Sequence, residues 1–158
     1  MKTLIFSTFL MILVSQCLVG QTPRPNACVV SYSVMTKKQS DADAEPKVVE
    51  LGSIDISGVT EGTLLKRSYK IGETGLYAFV ELLFDDDMQY GPVPTDALTV
   101  DVIINRGKTR LSTSVIGASS TQLAFDDFKR AIVMASARQG PTGIIVMADC
   151  QDDKAEKR

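Results

Sequence analysis

From residue 27 onward, hydrophobic and polar positions alternate with a period of two. In "ACVVSYSVM", Cys28, Val30, Tyr32 and Val34 fall on one side and Ser31 and Ser33 on the other, the pattern of a strand with one face in a core. The polar stretch "TKKQSDADAEP" reads as a loop, and "VVELGSIDIS" is strand-like again, with Gly52 marking a bulge. "TLLKRSYKI" alternates Leu65, Tyr69 and Ile71 against Lys66, Ser68 and Lys70. After the turn "GETG", "LYAFVELLF" sets Leu76, Ala78, Val80, Leu82 and Phe84 on one face, so Thr63 to Phe84 reads as a hairpin. A second hairpin follows, in which "LTVDVIIN" places Leu98, Val100, Val102 and Ile104 inward, "NRGK" turns, and "TRLSTSVIG" returns with one Ser/Thr-rich, exposed side.

The segment "STQLAFDDFKRAIVMASARQGP" fits two templates. As a helix it carries Phe128, Ile132 and Ala135 on one stripe, acids early, Arg138 late, and Gly140–Pro141 as a stop. As a strand, "KRAIVMASA" turns at "RQGPTG" into "IIVMADC". The earlier segments behave as strands separated by turn signals, which favours the strand and an all-β chain. The expected fold is an antiparallel two-sheet β-sandwich of about seven to eight strands; the alternative is α+β with one helix at about 121–138.

The N-terminus sets the expected compartment. "MKTLIFSTFLMILVSQCLVGQTPRP" has one early lysine, an apolar core from Leu4 to Val14, and a small, polar end at Gly20 and Gln21, the layout of a secretory signal peptide over 1–20. That core is shorter than the roughly 18 residues of a transmembrane helix, so no membrane-spanning segment is expected. "VSQC" partly matches a lipobox, but Gln16 stands where a small residue belongs, so Cys17 is expected to leave with the leader; a lipid anchor on Cys17 is the alternative. Residues 21–150 then form one β-sandwich-like domain in a secreted or periplasmic protein, and 151–158, "QDDKAEKR", a charged flexible tail.

Two cysteines remain in that domain, Cys28 and Cys150. In an exported chain such a pair implies a disulfide, here tying the first strand to the last around a loop of about 120 residues, worth about 5 kcal/mol in the chain-entropy model. The chain has no histidine, which removes His-activated cysteine or serine nucleophiles and leaves too few ligands for a structural zinc site.

Charge narrows the partners further. The net charge is −2, and removing a leader with one lysine and no acid makes it −3, which argues against nucleic acid as a partner. The acidic run "FDDDMQYGPVPTD" reads as a solvated loop. Asp85, Asp87 and Asp96 are weak candidates for calcium within it, because Tyr90 stands where an EF-hand requires glycine. Glu81 and Asp101 lie on strands and are the carboxylate pair a small hydrolase would need; otherwise they are outward charges that keep a sheet soluble. The expected function is therefore that of an exported, noncatalytic β-domain without a cofactor, binding a protein or glycan or serving a structural role at the envelope or outside the cell. A small carboxylate-dependent hydrolase is the alternative, and the oligomeric state is left open.

Overall fold

The computed structural model describes residues 26–36, 46–90, 93–124 and 130–151; for 86–90, 93–96 and 124 it describes the backbone. Eight strands follow one another: β1 (Ala27–Thr36), β2 (Val48–Asp55), β3 (Leu64–Ile71), β4 (Leu76–Tyr90), β5 (Val93–Arg106), β6 (Val115–Ala124), β7 (Arg130–Gln139) and β8 (Thr142–Gln151). They form two antiparallel four-stranded sheets, ordered β2–β1–β8–β7 and β3–β4–β5–β6. The all-β sandwich expected from the alternation is the observed architecture. No α-helix occurs among the described residues. Over β7, burial alternates strictly, with Ala131, Val133, Ala135 and Ala137 buried and the residues between them exposed; this is a two-residue period that a helix cannot bury on one side.

The two sheets are built differently. β3 to β6 form a meander in which every strand pairs with its neighbour in sequence. The other sheet joins the β1–β2 and β7–β8 hairpins through β1 and β8, so the first and last strands are its central pair, in register from Ala27↔Gln151 to Thr36↔Thr142. We call these the meander sheet and the terminal sheet. Gln151, expected to begin the tail, is the last residue of β8, and the leader and the rest of the tail lie outside the described residues.

The core is where the inner faces meet. Val30, Ile54, Ile144 and Val146 from the terminal sheet face the space also filled by Ile71, Val80, Leu82, Leu98, Val100, Val102 and Ile104 from the meander sheet, none more than 1% exposed. Each such side chain contributes about 1.5–3 kcal/mol by leaving water. At the open sides, glycines let the sheets approach. A Cβ on Gly117 of β6 would fall inside van der Waals contact with the Ser136 carbonyl of β7, so those two edge strands touch through backbone. On the other side, Gly52 sits where β2 gains one residue relative to β1, the bulge anticipated there, and its missing Cβ leaves room for the Tyr69 ring of β3.

Cys28 and Cys150 are disulfide-bonded, with Cα atoms 3.9 Å apart and a sequence separation of 122. The bond does not cross the core from sheet to sheet. The two cysteines are direct partners on the neighbouring strands β1 and β8, both completely buried on the inner face. Directly opposed antiparallel residues already stand about 4.5–5.5 Å apart, which places two inward Cβ atoms within bridging reach.

Two segments depart from the alternation reading. "TRLSTSVIG" does not return as a strand at Thr109: the chain makes a longer connection with a 3₁₀ turn at Ser112–Ser114, and β6 begins at Val115. The cause is Asn105, fully buried at the end of β5, whose Nδ2 donates to the Thr109 carbonyl (2.7 Å) and whose Oδ1 accepts from Ser114 Oγ (2.7 Å). The acidic run is not a loop either. β4 continues to Tyr90 and β5 starts at Val93, with a one-residue irregularity between Asp85 and Met88, so the two strands form one long hairpin.

Candidate functional site

Strand pleating decides which side chains leave the core on the meander sheet. With Leu65, Tyr69 and Ile71 turned inward on β3 and Ala78, Val80 and Leu82 on β4, the intervening Lys66, Ser68, Phe79 and Glu81 face outward. Register then sets neighbours: Lys66 lies opposite Glu81, Ser68 opposite Phe79, and on the far side of β4 Glu81 lies opposite Asp101 and Phe79 opposite Ile103. Ile103 points outward but is only 6% exposed, which gives this face an apolar centre beside Phe79.

The β5–β6 connection completes the arrangement. Held by Asn105 at Thr109 and Ser114, it carries Arg110 back over the sheet, where Nη1 donates to Glu81 Oε1 at 2.6 Å. Lys66 Nζ stands 3.5 Å from the same oxygen, and the Glu81 side chain keeps 13% of its exposure. Arg67 lies on the inward side of β3 in register. Because β3 is an edge strand its side chain remains exposed, and Nη1 donates to the Lys66 carbonyl at 2.9 Å. Lys66, Arg67, Ser68, Phe79, Glu81 and Arg110 line an open groove of about 420 Å³. Three cations and one carboxylate leave this groove with a net charge of +2 on a chain whose total is negative.

The sequence-derived candidates fall into place unevenly. Glu81 and Asp101 are brought together as cross-strand neighbours, but on a sheet face, and Glu81 Oε1 is engaged by both Arg110 and Lys66. Asp85 ends the regular part of β4, opposite Ala97, while the side chains of Asp87 and Asp96 lie outside the described residues. No group of three or more potential metal ligands occurs among the described residues. Cys28 and Cys150 are consumed by their bond.

Alternation had already turned Lys66 outward. Arg67, Phe79 and Arg110 were not anticipated, and Arg110 could not be, since it reaches Glu81 across 29 residues of sequence through a loop shaped by a buried asparagine. No helix among the described residues is long and apolar enough to cross a membrane. No protein-family model, curated protein or solved structure matches this chain.

Proposed function

We propose that this is an exported, noncatalytic binding domain that engages its partner, a protein or a glycan, through the outer face of the meander sheet. The observation that carries the proposal is the Glu81 cluster, in which a loop braced by a buried side chain holds Arg110 against Glu81 beside Lys66, Arg67 and the outward ring of Phe79. A site built this way offers fixed charges flanking an aromatic surface, the composition that recognition sites on rigid scaffolds share. Export is supported by the leader-like N-terminus and by the disulfide, a bond that persists in oxidising compartments.

The hydrolase alternative draws on the adjacency of Glu81 and Asp101. Against it, a glycosidase pair must reach the scissile bond from both sides of a cleft, whereas these two share an open face and one is held by cations. Affinity capture from the native extracellular or envelope fraction tests the proposal, comparing the wild-type chain with Phe79→Ala/Arg110→Ala and identifying retained partners by mass. A partner held by the wild type and lost from the variant is the expected result. Equal retention by both would move binding off this face, and glycoside cleavage abolished by Glu81→Gln would establish the hydrolase instead.

A further inference from the structure

A second cleft lies at the end of the sandwich that carries the β3–β4 turn. It has a volume of about 340 Å³ and draws its walls from both sheets: Thr74, Gly75 and Leu76, then Arg106 and Ile116, then Arg138 and Gln139. This is near the lower end of the range for small-molecule sites. Two of its lining residues are arginines and none is acidic. Arg106 ends β5 and Arg138 stands one residue from the end of β7, so the two cations come from different sheets. Both are exposed, and no carboxylate is recorded against either among the described residues. Glu73, the acid beside Thr74, is taken by Lys70, whose Nζ lies 3.0 and 2.9 Å from its two oxygens.

The walls are braced against each other before any ligand arrives. Gln139 Nε2 donates to the Thr74 carbonyl at 3.0 Å, joining turns 65 residues apart, and Thr74 Oγ1 donates to the Ile71 carbonyl at 2.6 Å. Next to Ile116, the close backbone approach of Gly117 to Ser136 fixes β6 on β7. Two like charges lining one braced cleft repel each other. An anion between them removes that repulsion, and a guanidinium presents paired N–H groups that match the oxygens of a carboxylate, sulfate or phosphate.

We infer that this cleft binds a small ligand bearing an oxyanion group, held between Arg106 and Arg138, with Leu76 and Ile116 forming the apolar wall for the rest of the ligand. The site is independent of the Glu81 groove. The test titrates the mature, disulfide-bonded protein with sulfate, phosphate or acetate at low millimolar concentration against chloride at matched ionic strength, following the backbone amides of Gly75, Ile116 and Gln139 by NMR. At least one anion is expected to give saturable shifts at these amides, and the tightest of the three identifies the group. Arg106→Gln and Arg138→Gln should each weaken that binding about tenfold or more, as expected for loss of a charge-assisted hydrogen bond. Shifts no larger than with chloride, or an affinity unchanged in either variant, would overturn the inference.

Discussion

The meander sheet and the terminal sheet have the same number of strands and contribute comparable apolar faces to one core, yet they are held together differently. Each pairing in the meander joins strands adjacent in sequence, so its loops are short and their closure costs little entropy. The central pairing of the terminal sheet joins β1 to β8, which can form only after the rest of the chain has been brought round. The Cys28–Cys150 disulfide lies across that pairing, and no strand of the meander carries a cysteine. Their outer faces differ too. The terminal sheet exposes Met35, Val48, Ile132 and Met134 and carries the Arg130–Asp149 ion pair, whereas the meander, with Leu64 and Leu83 exposed at one end, gathers Lys66, Glu81, Asp101 and the overlying Arg110 into one cluster. The covalent bond is placed where loop closure is most expensive, and the groove lined by three cations lies on the sheet that does not need it.

Removing the bond should have the largest effect, and on the terminal sheet first. Cys28→Ala/Cys150→Ala is expected to lose about 2–5 kcal/mol of unfolding free energy in a denaturant titration. Native-state hydrogen exchange should show the loss unevenly, with β1 and β8 amides opening before those of β4 and β5. Equal loss of protection in both sheets would erase the distinction. Next in size is Gly117→Ala, which forces a methyl group against the Ser136 carbonyl where the two sheets touch and should cost about 1–3 kcal/mol; chemical denaturation measures it.

Asn105→Ala acts on the meander side. It strips the Thr109 carbonyl of its donor, leaves the Ser114 hydroxyl with Leu111 alone and should cost about 1–2 kcal/mol, while freeing Arg110 from Glu81, visible as faster exchange and altered shifts at residues 107–114. The smallest effect is at Tyr69, where the sheets meet across Gly52. Burial pushes its hydroxyl above the usual tyrosine value, partly offset by Arg67. A raised folded value means that its contribution to stability is complete below the unfolded tyrosine pKa and is lost as pH rises through the folded one. Stability should therefore fall on the alkaline side, and Tyr69→Phe should flatten that limb, as read from denaturation midpoints across the range.

How much of this was legible in the chain depends on whether the determinant was local. Alternation placed Val30, Val80 and Val102 in the core, because a pleated strand writes its burial directly into its sequence, and the strand habit of the earlier segments favoured β7 where a helix competed. The cysteine count anticipated the bond. That it lies within one sheet follows from strand order, which alternation does not encode. The acidic run misled because Asp and Pro residues signal a turn by composition, while register with Ala97, Thr95 and Pro94 keeps the backbone extended. The groove was the least legible part. Glu81 and Lys66 could be assigned to outward positions, but Arg110 depends on Asn105, a buried polar residue at a strand end whose role appears only when its two partners, Thr109 and Ser114, fold back onto it.

The proposed function implies a division of labour, with the terminal sheet as the stapled frame and the meander face as the binding surface. It is tested most directly by measuring retention of the captured partner, side by side, for two proteins at a temperature where both remain folded. The chain lacking the disulfide should keep the partner despite its lowered stability, and Phe79→Ala/Arg110→Ala should lose it with stability nearly unchanged. The reverse, a folded Cys28→Ala/Cys150→Ala protein that releases the partner while the groove variant retains it, would contradict the account.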